Sequence, residues 1–206
     1  MFFCPLCKKE TEDSPCKGFY ACGGCYAIFR SPEDYLSKEE EKKRYELHEN
    51  DIDDPGYQRF VEPIVHSVLK DFKPGHLGLD FGAGTGPVIL KILSEKAYSI
   101  NLYDPFFHPH PEYLEQTYDF IVCCEVIEHF QDPYKEFTLL RKLLKPGGRL
   151  YCMTHLYADE VDFEKWYYKG DPTHVIFYRK ETLEWIKNEF QFKNLWIKER
   201  LITLEG

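Results

Sequence analysis

Residues 76–93 constrain the fold of this chain more strongly than any other stretch. An apolar strand pattern leads to Asp80, and an apolar helical run begins at Pro87. Between them lies a glycine-rich turn: Gly82, Ala83, Gly84 and Gly86. Glycine permits a tight turn and lets a ligand lie against bare backbone, and the first turn of a helix has free N–H groups. The stretch therefore predicts a buried strand, a ligand-binding turn and a helix.

The spacing of the glycines narrows the choice of ligand. A dinucleotide-binding turn has the form Gly-x-Gly-x-x-Gly and seats a pyrophosphate on the helix N-terminus. Here the spacing is Gly-x-Gly-x-Gly, and Asp80 comes shortly before it at the strand end. A carboxylate in that place repels a pyrophosphate and suits a ligand that carries an ammonium group. Asp104 ends the next strand pattern, where a doubly wound sheet places a carboxylate to accept both ribose hydroxyls.

The paired acids and the glycine turn resemble the first motif of the class I S-adenosylmethionine-dependent methyltransferases. A second stretch, Glu125 to His129, contains an acid, two apolar residues, Glu and His. It resembles the motif after the fourth strand in the ubiquinone-biosynthesis type of small-molecule methyltransferase. The resemblance covers roughly residues 37–204. It implies an α/β fold with a Rossmann-like, doubly wound and mostly parallel sheet.

The chain departs from this family after Asp104. Only residues 105–118 separate Asp104 from Asp119, whereas a helix and a further strand need about 30 residues. We therefore expect the third-strand region to be shortened or absent, which leaves the side chain that contacts the adenine unassigned. Three neighbouring rings are candidates to replace it by stacking: Phe106, Phe107 and His108.

The resemblance also implies a cofactor site for S-adenosylmethionine. Asp80 and the glycine turn would hold the methionine portion, Asp104 the ribose, and Glu125 would line the same cleft. In this family the segment before the first strand often folds over the cofactor. That implies four further candidates: Tyr45, His48, Asn50 and Tyr57. An ordinary surface loop with incidental aromatic side chains remains the alternative for this segment.

Two histidines are the candidates for catalysis. A neutral imidazole near pH 7 can take a proton from a hydroxyl acceptor as the methyl group arrives. By the resemblance, His129 or His174 would be this base. Three more side chains are candidates for the acceptor pocket, with simple packing as the alternative for each: His155, Trp166 and Tyr168.

The N-terminal residues predict a zinc site. Two Cys-x-x-Cys turns, separated by residues 8–21, can bring four thiolates together around a structural Zn²⁺. The expected ligands are Cys4, Cys7, Cys22 and Cys25. Cys16 is a fifth cysteine and leaves the ligand set open. A redox dithiol or an iron–sulfur site is the alternative use of these thiols.

Composition limits the partners and the compartment. The formal net charge of −9 disfavours broad binding to nucleic acid, and no apolar run is long enough for a membrane span. The N-terminus lacks the features of a signal peptide. Eight cysteines without a secretion signal then favour a reducing, cytoplasmic location. The sequence leaves the oligomeric state open.

Together these patterns predict three parts and one function. A zinc-ribbon-like module spans residues 1–36, leading helices or a lid span 37–76, and a methyltransferase domain spans 77–206. The predicted activity is transfer of a methyl group from S-adenosylmethionine to a small molecule by in-line displacement. Two alternatives remain: an RNA or protein methyltransferase that uses the zinc ribbon for recognition, and a non-catalytic cofactor-binding scaffold.

Overall fold

The computed structural model describes residues 2–11, 14–47 and 50–206. The strands of its largest sheet are β5 (Leu77–Phe81), β6 (Ser99–Tyr103), β7 (Tyr118–Cys124), β8 (Leu144–Met153), β10 (Asn194–Lys198) and β11 (Leu201–Glu205). Their order across the sheet is β10-β11-β8-β7-β5-β6. β5, β6, β7 and β8 pair in parallel, whereas β11 pairs antiparallel to β8 and β10. This confirms the predicted α/β fold with a mostly parallel sheet.

Helices cover both faces of this sheet, which explains why β5 and β7 are mostly apolar and buried along most of their length. On one face, α2 (Pro55–Asp71) and α3 (Val88–Ser94) pack on the sheet through side chains such as Ile64 and Leu93. On the other face, α4 (Pro133–Leu143) and α5 (Lys180–Glu189) contribute Phe137 and Ile186 to a second core. The strand–helix alternation therefore produces the doubly wound arrangement that the sequence predicts.

The region between β6 and β7 is short. The chain turns after Asp104, which forms an isolated bridge with His108, and makes one 3₁₀ turn at Pro111–Leu114 before β7 begins. No strand lies between β6 and β7, and the structure describes every residue of this connecting region. The predicted loss of the third-strand region is confirmed.

The N-terminal residues form two small antiparallel ribbons. β1 (Phe2–Phe3) pairs with β2 (Glu10–Thr11), and β3 (Phe19–Ala21) pairs with β4 (Ile28–Arg30). β4 also pairs with β9 (Ile176–Phe177), a strand from the segment that follows β8. The ribbon that contains the second Cys-x-x-Cys turn therefore shares a sheet with residues from the far end of the chain.

Two capped helices lead into the large sheet. α1 (Lys38–Glu46) begins with a capping box, in which Ser37 and Glu40 bind each other's backbone N–H. α2 begins after Asp54, whose carboxylate accepts the N–H groups of Gly56 and Tyr57. Within the described ranges, none of the helices has the length and apolar character needed to cross a bilayer.

Candidate functional site

The glycine turn joins β5 to α3 at the carboxyl edge of the sheet. Gly82 and Gly84 have φ values of +83° and +60°, which favour glycine. A Cβ atom on Gly82 would lie 2.5 Å from a methyl group of Val126, so no larger residue fits there. The N–H groups of Gly82 and Ala83 donate to the Tyr103 carbonyl at 2.8 Å and 3.2 Å. These bonds tie the turn to the end of β6.

Asp80 is buried at the end of β5, with 4% of its surface exposed. Its carboxylate accepts no hydrogen bond from the residues that the structure describes. Burial raises the pKa of Asp80 to about 7, and the nearby negative charge of Asp104 adds to this shift. A buried carboxylate without a partner is costly, so this position fits a cationic ligand group.

A narrow cleft of about 20 Å³ lies between Asp80 and α2. Its lining comes from β5, the glycine turn, α2, α3 and the end of β7: Tyr57, Val61, Asp80, Gly82, Ala83, Gly86, Pro87, Val88, Ile89 and Cys124. The cleft therefore joins Asp80 to the turn that the sequence singles out.

Asp104 lies at the end of β6 and is also buried. One carboxylate oxygen accepts the N–H groups of Phe106 and Phe107 at 2.8 Å and 3.0 Å. The other oxygen accepts the N–H of Gly84 at 3.1 Å. Each oxygen has two lone pairs, so the second retains capacity for a ligand hydroxyl. Asp104 thus both fixes the turn and offers an acceptor beside it.

The segment before β5 crosses this turn. The Tyr57 hydroxyl donates to the Gly86 carbonyl at 3.3 Å, and the Asn50 amide lies 3.4 Å from the Thr85 hydroxyl. A Cβ atom on Gly86 would come within 2.0 Å of the Asn50 carbonyl oxygen, so the two backbones are in close contact. Asn50 and Tyr57 therefore lie directly against the glycine turn.

Tyr45 approaches the site from α1. Its ring centroid lies 5.9 Å from that of Phe106 and 5.4 Å from that of His129. Its hydroxyl donates to Glu41 on the preceding turn of the helix at 2.6 Å. The structure therefore brings Tyr45 near the Asp104 loop. His48, the remaining candidate of the leading segment, lies outside the described residues.

A carboxylate cluster follows β7. Glu125 has a φ of +53°, a conformation that non-glycine residues rarely adopt. It forms an ion pair with Arg200, at the tip of the hairpin between β10 and β11. Glu128 is fully buried, and the Tyr168 hydroxyl donates to one of its oxygens. The other oxygen, Oε2, has no hydrogen-bond partner among the described residues. Burial, and for Glu125 also the charge of Glu128, raises the pKa of both carboxyls to about 7.

The two candidate histidines lie side by side with their ring centroids 4.8 Å apart. His129 Nδ1 is 3.0 Å from the Thr173 carbonyl oxygen, and His174 Nδ1 is 2.7 Å from that of Tyr168. A carbonyl only accepts, so we infer that each Nδ1 carries the proton and each Nε2 is the basic nitrogen. Burial and the neighbouring His129 lower the pKa of His174 to about 4, so this ring is neutral at pH 7.

These groups could serve two kinds of chemistry. The ligand atoms of Glu128, His129 and His174 all lie within 4.8 Å of one another, a separation that a divalent cation could bridge. The same set could instead accept a proton, because it combines a neutral imidazole with a carboxyl of raised pKa.

The other three pocket candidates differ in what they contact. The Tyr167 hydroxyl is 3.0 Å from His155 Nε2, and the tyrosine is exposed whereas the histidine is half-buried. Trp166 packs against an aromatic cluster that contains Phe163 and Phe177. Tyr168 is the only one of the three that contacts Glu128.

Sequence reasoning missed the part played by Arg200. The hairpin tip has no motif that marks it, and only the strand order β11-β8-β7 brings Arg200 beside Glu125. Arg200 also stacks over the Phe60 ring at 4.9 Å, and its Nε is buried without a partner among the described residues. It pairs with the carboxylate cluster and also lines an adjoining groove.

That groove has a volume of about 430 Å³ and lies between α2 and the hairpin tip. Cys124 and Met153 are neighbours across β7 and β8, so the groove adjoins the cleft at the glycine turn. Its lining is partly apolar and partly charged: Arg59, Phe60, Glu62, Pro63, His66, Ser67, Met153, Lys198, Glu199, Arg200 and Leu201. The volume and the mixed lining suit a small molecule.

The four N-terminal cysteines converge on one point. Their sulfur atoms all lie within 4.8 Å of one another, with Cys4 and Cys25 at 3.5 Å and Cys7 and Cys22 at 3.3 Å. Zinc–sulfur bonds of about 2.3 Å in a tetrahedron place the sulfurs about 3.8 Å apart. The two Cys-x-x-Cys turns also have the same backbone geometry. Lys8 and Tyr26 both have positive φ, and their N–H groups donate to the carbonyls of Cys4 and Cys22, respectively. The set fits Zn²⁺, and Cys16 is outside it.

Comparison with known proteins gives a consistent picture. The family model for a methyltransferase domain matches residues 55–196. The ubiquinone biosynthesis O-methyltransferase of Vibrio atlanticus is 32% identical over 77 residues, which are 37% of this chain and 32% of that protein. The Vibrio cholerae protein of the same name is 31% identical over 77 residues, 37% of this chain and 31% of its own. The matched region thus spans about a third of these curated relatives.

Solved structures share the fold at low identity. A Burkholderia thailandensis 1,6-didemethyltoxoflavin-N1-methyltransferase, with 1,6-didemethyltoxoflavin and S-adenosylhomocysteine bound, has a TM-score of 0.55 and 14% identity over 90% of this chain and 97% of that one. A SAM-dependent methyltransferase from Archaeoglobus fulgidus has a TM-score of 0.53 and 18% identity over 72% of this chain and 94% of that one. At these identities the likeness shows the fold alone.

Proposed function

We propose that this chain, which belongs to the methyltransferase domain family, transfers a methyl group from S-adenosylmethionine to a small-molecule acceptor. The observation that carries the proposal is the convergence of two buried acids on one glycine turn. Asp80, without a hydrogen-bond partner among the described residues, and Asp104, with spare acceptor capacity, both lie at the carboxyl edge of the sheet. The names of the relatives and structural neighbours support a small-molecule acceptor.

The residues present fit the two ends of the cofactor. Asp80 suits its ammonium group, the bare backbone at Gly82 and Gly84 allows close approach, and Asp104 suits the ribose hydroxyls. S-adenosylmethionine supplies an electrophilic methyl group on a sulfonium. Asn50 and Tyr57 lie against the glycine turn and leave a cleft of only about 20 Å³, so we infer that this segment moves to admit the cofactor and then covers it.

The acceptor would enter through the groove beside Arg200. That groove lies next to the glycine-turn cleft, and Arg200 in its lining pairs with Glu125 of the carboxylate cluster, which supports an acceptor position near both sites. His174 is neutral at pH 7 and has a basic Nε2, and Glu128 has one oxygen without a partner among the described residues. We assign the proton-accepting role to this pair. Methyl transfer itself then depends on how the acceptor is positioned relative to the methyl group.

We further propose that the four cysteines hold a structural Zn²⁺. Four sulfur ligands close the coordination shell of the metal, which leaves no position for a substrate. The zinc would therefore stabilise the fold rather than take part in methyl transfer.

The first prediction concerns cofactor binding. Calorimetric titration of the purified protein with S-adenosylhomocysteine is expected to give a micromolar dissociation constant. Asp104→Asn is expected to weaken binding about 10- to 100-fold, because hydrogen bonds to a charged group contribute about 1.5–3 kcal/mol. Asp119→Asn is the matched control, since Asp119 also accepts a backbone N–H, from Leu77, at the opposite edge of the sheet. Absence of heat with folded wild-type protein would contradict the proposal.

The second prediction is a pH dependence of the same binding. The ammonium group favours ionised Asp80, whose pKa in the free protein is about 7. Protonation competes with binding below that pH, so the affinity for S-adenosylhomocysteine is expected to fall about tenfold per pH unit there and to level off above it. Titrations between about pH 5.5 and pH 8 measure the profile. Asp80→Asn is expected to bind weakly with a flat profile, and an unchanged slope in that variant would assign the dependence to another group.

A further inference from the structure

We propose that Arg30 is a positioning residue for methyl transfer and that the four-cysteine module, residues 2–30 as far as they are described, thereby holds in place the loop that carries His174 and Tyr168. This inference rests on the proposed function, because it gives a role to the loop that carries His174 and Tyr168. It also gives the module a purpose within the chain, distinct from the recognition of a partner molecule.

The Arg30 guanidinium donates hydrogen bonds to three backbone carbonyls of this loop, residues 168–175. Arg30 Nε donates to the His174 carbonyl at 3.1 Å. Its Nη2 donates to the carbonyls of Lys169 and Asp171 at 3.0 Å and 3.1 Å. The Arg30 backbone N–H adds a fourth bond, to the Val175 carbonyl at 2.8 Å. The shape of the loop is therefore fixed from the side of the cysteine module.

The side chains of this loop set the chemistry of the cluster. The Tyr168 carbonyl accepts the Nδ1 proton of His174, which makes Nε2 the basic nitrogen. The Tyr168 hydroxyl donates to Glu128, and the Val175 N–H donates to the Glu128 carbonyl at 2.9 Å. If the backbone at 169–174 moves, the tautomer of His174 and the hydrogen bond to Glu128 are lost together.

The position of Arg30 depends in turn on the cysteine turn. Arg30 ends β4, which starts three residues after Cys25, and the Cys22 N–H donates to the Ala27 carbonyl at 2.9 Å. The preceding residues Ile28 and Phe29 pair with β9. The guanidinium lies over the Phe19 ring at 4.8 Å, which fixes its plane. The second Cys-x-x-Cys turn, a short strand and a stacked guanidinium form a continuous connection to the loop at residues 168–175.

Lysine cannot replace arginine in this arrangement. A guanidinium presents several donors in a rigid plane, whereas an ammonium is a single point charge on a flexible stem. Arg30→Lys keeps the charge near Asp171 and removes the planar set of donors. It therefore separates an electrostatic role from a positioning role.

The test compares Arg30→Lys and Arg30→Gln with Arg141→Gln in the full chain. Arg141 is the matched control on α4, because its guanidinium also donates to a backbone carbonyl, that of Gln191, and lies over an aromatic ring, that of Phe192. Zinc content, S-adenosylhomocysteine affinity, amide hydrogen exchange and the ¹⁵N imidazole spectrum of His174 are measured for each variant. None of these measurements needs the acceptor.

Both Arg30 variants are expected to bind one zinc and to bind S-adenosylhomocysteine within about twofold of wild type. Amide exchange at 169–177 is expected to accelerate at least about tenfold, because several hydrogen bonds of one loop are lost. The His174 spectrum is expected to change from the Nδ1–H tautomer to a mixture, and Arg141→Gln is expected to change neither signal.

An unchanged His174 spectrum and loop exchange in Arg30→Gln would overturn the proposal. Loss of zinc in both Arg30 variants would also overturn it, because Arg30 would then be a folding residue of the module. If wild-type protein does not bind S-adenosylhomocysteine, the proposed function fails, whereas the loop measurements still report on Arg30. The two failures are therefore distinguishable.

Discussion

Removal of zinc from the four-cysteine cluster is expected to lower the thermal midpoint of unfolding by on the order of 10 °C or more. Structural zinc sites contribute about 10 kcal/mol to the folding of small domains, and each lost kcal/mol shifts the midpoint of a chain of this size by about 2–4 °C. The effect should extend beyond the module, because β4 is the strand on which β9 pairs. Thermal unfolding before and after dialysis against a chelator measures the change, and added zinc should restore the midpoint.

Cysteine substitutions separate the metal site from the rest of the module. Cys22→Ser is expected to reduce bound zinc and to destabilise the protein as dialysis does. Cys16→Ser is the matched control, since Cys16 lies in the same module but outside the four-sulfur group, and it should keep one zinc per chain. Wild-type protein that is metal-free and equally stable would contradict a structural zinc. Bound iron with visible absorbance would favour the iron–sulfur alternative.

The cofactor half could be anticipated from the sequence because its signals are local. Asp80 and Asp104 each end an apolar strand pattern, and parallel strands end at the same edge of a sheet. The missing third strand followed from the number of residues between two acids. These inferences needed only short stretches of chain and the rules of α/β topology.

The acceptor half could not be anticipated in the same way, because it depends on contacts between distant residues. Arg200 and Glu125 are 75 residues apart, and Arg30 and the carbonyls that it binds are 139 to 144 residues apart. No periodicity or motif links such pairs. The pairing of β4 with β9, which creates the second set of contacts, joins two strands of three and two residues that have no distinct sequence pattern.

Glu128 illustrates the same limit within a recognised motif. The sequence named the Glu and the His of this stretch, but a glutamate in a loop is expected to be exposed. In the structure it lies in the 3₁₀ turn Ile127–His129 beneath the loop that Arg30 holds, and its surface is fully covered. This burial results from tertiary packing, and it raises the pKa of the carboxyl.

Replacing Glu128 with glutamine is therefore expected to have opposite effects on stability and on activity. Burial raises the pKa of this carboxyl from about 4.5 to about 7, so the folded protein holds a proton that the unfolded chain releases. Because the folded state binds this extra proton, stability falls as pH rises from about 4.5 to 7, and the loss is complete above pH 7. At about 1.4 kcal/mol per pKa unit, the ionised carboxyl costs the fold up to about 3 kcal/mol at pH 8.

Glutamine removes this cost but also leaves buried N–H groups without partners, a penalty that does not depend on pH. The substitution changes the free energy of unfolding by one amount at about pH 8 and by another at about pH 5. The quantity to measure is thus the difference between these two changes. We expect this difference to favour Glu128→Gln by up to about 3 kcal/mol. The same variant should slow methyl transfer about 10²- to 10⁴-fold for any hydroxyl acceptor that the wild type uses, as expected for a lost proton acceptor.

Glu136→Gln is the control for burial alone. Burial also raises the pKa of Glu136 on α4, and the charges that act on it are those of Lys135 and Asp132 rather than the carboxylate cluster. It should show a smaller pH-dependent gain and no loss of methyl transfer. An equal gain in both variants would mean that the carboxylate cluster adds nothing to ordinary burial. A Glu128→Gln protein with no gain at pH 8 would mean that the Glu128 carboxylate is compensated in the fold and that its pKa is not raised, which would contradict this prediction.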